Sequence, residues 1–410
     1  MSAVSSSPIL SVVDDSDPLL GELADVPPAP DGLLELLKRM PDPRDRRGVR
    51  HALAPMLAVA LSAVIAGARS FVAIAEWAAD TAPDVLAQLG MTGAVPSEST
   101  IRRCLQKLAP DQLDNLLGAW TWLRTSVIGG RRVIAFDGKT LRGAKDAAGN
   151  LVHLLAGLCQ HTGTVLAQLA VEAKTNEIPM LRTLLDTLDI IGAVITADAL
   201  HCQRDTAEAI VDAGGHYILT VKDNQPTLRR QLKELPWKQI PVADRSVEHG
   251  HGRTAKRMLK AAEIAGGIGF PHAVQVLRLT RTVTDRKTGK RHTETVYAVT
   301  SLSITDAAPT QIASWLRGHW AIENRLHWVR DVTYAEDHSQ IRSGNGPQVM
   351  ATLRILCHRP APTRRPRQHR KSTAPQRPKP SPARQTTPDQ VKCDFAETLK
   401  HPRRQQLDDT

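Results

Sequence analysis

Apolar residues recur at helical spacing through the first third of the chain. From Leu33 to about Trp122 the sequence has alanine-rich stretches and no alternating strand pattern, which predicts an all-helical region. Its longest apolar run, Ala52 to Ala68, is 17 residues long and is interrupted by a proline and a serine. Because that length is marginal for a bilayer, we predict a buried helix and no membrane association.

One short helix in this region has a cationic face. The stretch 95–108 begins on a proline and a serine, as helices often do, and places Ile101 and Leu105 on one side. Arg102 and Arg103 point to the other side, as in the recognition helix of a helix-turn-helix unit. We predict that both arginines contact DNA, although any solvated amphipathic helix would show the same pattern.

After Gly129 the apolar period changes from that of helices to that of strands. Short apolar runs alternate with turn signals and with two helical stretches. The predicted order is three strands (133–136, 151–158 and 164–171), a helix (178–188), a strand that ends at 198, a helix (204–213) and a strand (216–221). This is the order of an RNase H-like α/β domain, a mixed sheet with helices on both faces.

The remaining pattern divides the chain into segments. Alternating stretches after this core predict a β-rich insertion, and helical spacing returns at 310–330 and from about 347. Both ends are rich in proline without periodicity, which is typical of disorder. The predicted organisation is a disordered N-terminus (1–30), a helical DNA-binding domain (31–125), the first part of the RNase H-like core (130–236), the β-rich insertion (237–305), the final acidic helices of the core (306–357) and a disordered basic tail (358–410).

Charge and cysteine content change this picture little. The net charge is +11, but the tail contains 13 Lys and Arg against 5 Asp and Glu and so accounts for +8. The +3 that remains is weak evidence for a nucleic-acid partner. The five cysteines form no CxxC pair and the N-terminus has no signal-peptide pattern, so we expect a reducing, cytoplasmic location.

Two of the predicted strands end on aspartate. "VIAFD" ends at Asp137 and "VITAD" at Asp198, and these strands are neighbours in an RNase H-like sheet. Their carboxylates would lie close together, where both stay ionised only with a cation between them. We expect Mg²⁺, with Mn²⁺ as a substitute, because hard oxygen ligands suit it and two such ions can promote phosphoryl transfer. The competing interpretation makes Asp137 an ordinary turn residue before Gly138.

A later stretch offers a third carboxylate. The acidic residues of "RGHWAIENRLHWVRDVTYAEDHSQIR" are Glu323, Asp331, Glu336 and Asp337. At helical spacing Glu323 shares one polar stripe with His319, His327 and Arg330. Such a stripe could be a solvated face, but a glutamate between two histidines and near three tryptophans favours an active-site face.

The chain also resembles a known family, from about Leu33 to Leu356. The matching stretches are "PDPRDRRGVRHAL", "SFVAIAEWA", "PSESTIRR", "FDGKTLRGA", "EAKTNEI", "TADALHCQ", "GGHYILTVKDNQP", "GHGR", "RGHWAIENRLHWVRDVTYAEDHSQIR" and "ATLRIL". Together they resemble bacterial DDE transposases of the ISAs insertion-sequence group, which includes the H-repeat-associated proteins.

The resemblance implies a site and an activity. It implies an RNase H-like catalytic domain with a β insertion, and a catalytic, metal-binding triad of Asp137, Asp198 and Glu323. Related families carry a Tyr, Arg, Glu, Lys signature, whose positions read here Leu316, His319, Glu323 and Arg330. It further implies an insertion-sequence transposase that binds terminal inverted repeats, cuts DNA and joins 3′ ends to target DNA. We expect it to act as a homodimer or larger assembly on DNA, in association with the bacterial nucleoid.

Further polar residues, near the carboxyl ends of the predicted strands or on the insertion, could contact DNA phosphates. Beyond the two arginines of the helical region, the predicted DNA contacts are Lys139, Arg142, Lys222, Asn224, Gln225, Arg253, His319, His327 and Arg330. For residues 222–225 ordinary loop polarity is an equal alternative.

Two other functions compete with an active transposase. The apolar pattern stops at Cys357 and the chain becomes rich in proline and arginine within three residues, as a shifted reading frame would produce. That favours a decayed copy that at most binds DNA, whereas a natural basic arm is the alternative explanation of the tail. An RNase H-like repair nuclease would not require the helical DNA-binding region.

Overall fold

A computed structural model describes residues 32–357 except residues 48, 125–130, 146–148, 172–176, 251, 265–267 and 321. The segments 1–30 and 358–410, for which the sequence predicts disorder, lie outside the described residues. The first part of the chain is helical, and its described residues from 32 to 124 contain no strand. Its helices are α1 (Gly32–Leu37), α2 (Leu53–Ile65), α3 (Phe71–Asp80), α4 (Pro83–Gln88), α5 (Glu98–Leu105) and α6 (Pro110–Arg124).

The long apolar run forms α2, the central helix of this part. Leu57, Leu61 and Val64 are fully buried, and α2 is apolar on all sides because protein surrounds it. Tyr334 and Met350, from much later in the chain, belong to the same core. The predicted buried helix is confirmed, and no described helix is long and apolar enough to cross a membrane.

The middle of the chain forms one nine-stranded mixed sheet in the order β3-β2-β1-β4-β5-β9-β8-β7-β6. The first five strands are β1 (Val133–Lys145), β2 (Leu151–Cys159), β3 (Val165–Val171), β4 (Val194–Ala197) and β5 (His216–Val221). β1 pairs antiparallel with β2 and parallel with β4, and β4 pairs parallel with β5. This arrangement reproduces the predicted RNase H-like order.

The β-rich insertion extends the same sheet. Its strands are β6 (Asp244–Gly250), β7 (Arg253–Glu263), β8 (Gln275–Asp285) and β9 (Arg291–Thr300). β9 pairs antiparallel with β5, and the ladder continues through β8 and β7 to β6. Alternating side chains predict such strands but not which strand they join, so this continuity is visible only in the structure.

Helices cover both faces of the sheet, which confirms the predicted fold class. They are α7 (Glu177–Asp186), α8 (Arg204–Asp212), α9 (Pro226–Glu234) and α10 (Pro309–His319), and α11 (Gly346–Leu353) follows. Neighbouring residues of β1 point to opposite faces. Ile134 packs in one core with Leu181 of α7 and Ile210 of α8, whereas Val133 packs in another with Trp315 of α10.

The prediction that the first strand ends at Asp137 and breaks at Gly138 is wrong. β1 continues to Lys145 because β2 pairs with it along this length, with Asp137 opposite Ala156 and Gly138 opposite Leu155. Only the parallel pairing with β4 stops, at Phe136.

The single helix predicted over 310–330 is also wrong in part. α10 ends at His319, and the chain continues as two π-helical segments, Ile322–His327 and Val329–Thr333. A π-helical turn contains more residues than an α-helical turn. The four polar residues predicted to share one stripe therefore have different environments.

Candidate active site

Asp137 and Asp198 lie where two adjacent parallel strands part. The last paired residues of β1 and β4 are Phe136 and Ala197, so each aspartate is the next residue along its strand. Asp198 begins a 3₁₀ turn over Ala199–His201. The placement of both side chains at one edge of the β1–β4 pairing agrees with the sequence-based prediction.

The π-helical segment Ile322–His327 brings Glu323 and His327 to Asp137. One ligand atom from each of the three side chains lies within 4.8 Å of the others. His327 Nδ1 is 3.6 Å from Asp137 Oδ2 and 3.4 Å from Glu323 Oε2. Asp137 and His327 are largely buried and Glu323 is exposed, so the cluster opens to solvent on the glutamate side.

The surroundings of Asp137 disfavour its negative charge. Burial raises its pKa to about 7, with further contributions from the charges of Glu323 and Asp198. The backbone N–H of Gly138, which donates to Asp137 Oδ1 at 3.0 Å, acts in the opposite direction. Two carboxylates that repel each other beside an imidazole nitrogen are a donor set that fits a divalent cation.

Asp198 is held apart from this cluster. Its carboxylate accepts a hydrogen bond from Lys222 Nζ at 3.1 Å, and both side chains are exposed. Burial raises the pKa of Asp198, but the Ala199 N–H and Lys222 outweigh it and the net pKa is lowered. Among the described residues, the group with metal-ligand spacing contains Asp137 but not Asp198.

A second charged cluster, which the sequence did not reveal, lies beside Asp137. Glu177 accepts hydrogen bonds from His153 Nε2 at 2.9 Å and His201 Nε2 at 2.8 Å. Burial opposes ionisation of Glu177, yet these two histidines lower its pKa to about 2. A Cβ at Gly138 would lie 2.5 Å from Glu177 Oε2, so a larger residue beside Asp137 would displace this carboxylate. The three side chains lie far apart in sequence, and no motif spacing indicates that they meet.

Three of the residues predicted to contact DNA are buried, in ion pairs or in the cluster. Lys139 is paired with Asp331 at 2.5 Å. Arg330 donates to Glu336 Oε2 at 2.6 Å and is 1% exposed. His327 faces the two carboxylates of the cluster and is buried there.

Three other residues predicted to contact DNA form hydrogen bonds to residues near Asp198. His319 Nδ1 lies 3.2 Å from Thr196 Oγ1, and burial lowers its pKa to about 4, so it brings no positive charge near neutral pH. Asn224 Nδ2 donates to the Ala199 carbonyl at 2.5 Å. Gln225 Nε2 donates to the Cys202 carbonyl at 2.9 Å. These hydrogen bonds position the three side chains, and their contact with DNA stays a prediction.

The remaining predicted DNA contacts are accessible. Arg103, Arg142 and Arg253 are exposed, and Arg102 is half-buried and paired with Glu98 at 3.0 Å. The predicted amphipathic character of α5 is confirmed, since Ile101 is buried on its inner face.

Comparison with known proteins identifies the family of the chain. A family model described as the transposase DDE domain matches residues 128–359, and one described as DDE_Tnp_1-associated matches residues 34–121. This chain belongs to the DDE transposase family. The "H repeat-associated putative transposase YhhI" of Escherichia coli K12 is 30% identical over 341 residues, which cover 79% of this chain and 88% of YhhI. The resemblance to H-repeat-associated proteins is thereby confirmed, while the ISAs group itself stays a prediction.

Another relative of this DDE transposase matches over a shorter stretch. An uncharacterized protein in the dhlA 3′ region of Xanthobacter autotrophicus is 32% identical over 243 residues, 57% of this chain and 80% of that protein. A cryo-EM structure of the piggyBac transposase synaptic complex with hairpin DNA is 10% identical, with a TM-score of 0.38 over 80% of this chain and 72% of that one. A likeness that low supports no conclusion.

Proposed function

We propose that the chain is a metal-dependent insertion-sequence transposase that binds the terminal inverted repeats of its element, cuts the DNA and joins 3′ ends to target DNA. The observation that carries this proposal is the convergence of Asp137, Glu323 and His327 within 4.8 Å in a chain of the DDE family. A site of two carboxylates and an imidazole, open to solvent on one side, suits phosphoryl transfer better than simple DNA binding.

The proposal assigns Asp137, Asp198 and Glu323 as the catalytic carboxylates. Together they would hold two Mg²⁺ ions, for which Mn²⁺ could substitute, with His327 as a further ligand. Bound there, the ions would supply activation of a water or 3′-hydroxyl nucleophile and stabilisation of the leaving oxygen.

The residues around these carboxylates suggest how DNA enters. Lys222 is exposed and its ammonium group pairs with Asp198, so an incoming phosphate can compete for the ammonium group and free the carboxylate. Arg142 and Arg253 would add phosphate contacts, while the exposed face of α5 would read base edges through Arg102 and Arg103. Because two element ends must be joined to one target, we expect a homodimer or larger assembly.

The test uses full-length protein and duplex DNA that carries the inverted repeats flanking the gene. Asp137→Asn keeps the size of the side chain and removes its charge, so end cleavage should be lost while repeat binding stays within a few-fold. Asp212→Asn, at an exposed position of α8, is the matched control and should cut normally. Cleavage by Asp137→Asn at the wild-type rate would overturn the assignment.

A further inference from the structure

The loop between α1 and α2 forms one wall of an open groove. The groove has a volume of about 1040 Å³ and lies between residues 44–52, the turn after α4 and the outer side of α5. The loop is the "PDPRDRRGVRHA" stretch, which carries part of the family resemblance and lies in the region predicted to bind DNA.

Arg44 fixes the shape of this loop. Its guanidinium forms two parallel hydrogen bonds to Asp42, at 2.8 and 2.6 Å, and one to the His51 carbonyl at 2.8 Å. The bond to Asp42 raises the pKa of Arg44. Since both ends of the loop are tied to one side chain, the arginines between them are held in place before any ligand binds.

The groove carries concentrated positive charge. Arg47 and Arg50 line it from the loop, and Arg103 and Lys107 line it from α5 and the turn beyond. Asp45 is the one carboxylate among the residues that line it. In the described part of the chain Arg47, Arg50 and Lys107 take part in no ion pair, so their charges are available to a ligand.

The opposite wall carries no charged side chain. It consists of the turn Gly90–Val95, in which Gly90 has a positive φ of 81° that favours glycine. A Cβ at Gly93 would meet no atom within 4 Å. A ligand can therefore approach the backbone closely on this side while the guanidinium groups face it from the other.

We propose that this surface, the arginine groove, binds the sugar–phosphate backbone of duplex DNA beside the bases that α5 reads. Guanidinium groups match phosphate oxygens bidentately, and an open groove with one carboxylate suits a polyanion and not a small apolar ligand. This inference rests on the proposed function, which supplies DNA as the partner, and it adds a sequence-independent contact that the assignment of α5 alone lacks.

Substitutions that introduce a charge at Gly93 test whether the arginine groove binds DNA. Because the site is open and the φ of Gly93 lies outside the left-handed region, Gly93→Glu, Gly93→Gln and Gly93→Lys should all fold with an unchanged Tm. We would measure binding of the full chain to a mixed-sequence duplex of about 30 base pairs by fluorescence anisotropy, with EDTA present to prevent cleavage. Gly93→Glu should bind several-fold more weakly than the neutral, equally long Gly93→Gln, and Gly93→Lys more tightly. Equal affinity of the three would overturn the inference.

The arginines themselves are tested by the salt dependence of binding. The double variant Arg47→Ala/Arg50→Ala should lower the slope of log K against log salt by about 2 and weaken binding about tenfold or more near 0.1 M salt. The loss should be equal for repeat and unrelated DNA, whereas Arg103→Ala should affect the repeat more. Arg182→Ala, at an exposed position of α7, is the control and should leave the slope unchanged.

The outcomes separate this inference from the proposed function. If wild-type protein binds DNA with a salt-dependent affinity and the groove variants behave like wild type, the groove is not the contact although the DNA-binding function stands. If wild-type protein binds no DNA under these conditions, both proposals fail.

Discussion

Asp137 is a residue whose charge destabilises the metal-free fold. Its pKa is raised to about 7 by burial and then by Glu323, whereas the unfolded value is 3.8. Because the folded state binds this proton more tightly, stability should fall as the pH rises from about 4 to above 7. In EDTA, Asp137→Asn should therefore be more stable than wild type by up to about 4 kcal/mol above pH 7, and by much less near pH 4.

Urea denaturation of both proteins across this pH range checks the prediction. The exposed-site variant Asp212→Asn should differ from wild type by a small amount at every pH. A difference between Asp137→Asn and wild type that does not change with pH would contradict the assigned cause.

In the proposed metal site, His327 would supply a nitrogen ligand. Nitrogen suits Mn²⁺ better than Mg²⁺, and we expect wild-type protein to show imidazole nitrogen coupling in the electron-spin-echo spectrum of bound Mn²⁺. His327→Ala should abolish that coupling and weaken Mn²⁺ binding about tenfold or more. His292→Ala, an exposed position of β9, is the control. Nitrogen coupling that survives in His327→Ala would place the ion elsewhere.

For single residues, the sequence predicts which side chains belong to the candidate site better than it predicts their burial. The placement of Asp137 and Asp198 at one edge of the β1–β4 pairing follows from strand order, and the family resemblance points to Glu323. The burial of Arg330 does not, because its partner Glu336 and the second arginine, Arg354, come together only in the folded chain. A charged residue in a polar stripe predicts a solvated face. The residues of a buried ion-pair network give the same sequence pattern, so the two cannot be distinguished before the chain is folded.

At the scale of elements, strands were easier to predict than their ends. The fifth strand is found at His216–Val221, as the apolar run predicts, because turn signals stand on both sides of it. β1 extends eight residues beyond Asp137 because hydrogen bonds to β2 outweigh the low strand preference of Gly138. The π-helical segment Ile322–His327 could not be read from spacing, since a period of 3.6 was assumed there.

A substitution at Gly118 tests how closely the helical part packs against the sheet. A Cβ at this position of α6 would lie 2.6 Å from the Leu166 carbonyl oxygen of β3. Because that neighbour is backbone, it cannot turn away, and Gly118→Ala should destabilise the protein by about 1 to 3 kcal/mol. Gly93→Ala, at the open position of the arginine groove, should change stability by less than about 0.5 kcal/mol. Urea denaturation measures both, and equal stability of the two variants would contradict close packing of α6 on β3.

At the scale of the whole molecule, we expect the tail to determine whether this copy is active. If the frame is shifted after Leu356, a helix that should cover the π-helical segments is lost. Trp328 and Val332, each 55% exposed, are side chains that such a helix could cover. We expect a chain in which the other frame is restored after Leu356 to excise its element much faster, as measured by an excision assay in cells. Equal excision by both chains would favour a natural basic arm.

The single sheet also determines how force travels through the molecule. The insertion is joined to β5 by a ladder of backbone hydrogen bonds, and β5 to β4, the strand that leads into Asp198. A pull on β6 is therefore passed from one ladder to the next, through β7, β8 and β9, to β5 and β4. The insertion should therefore move together with the candidate active site and not independently of it. Tension in any DNA that the insertion holds would be transmitted to the carboxylates.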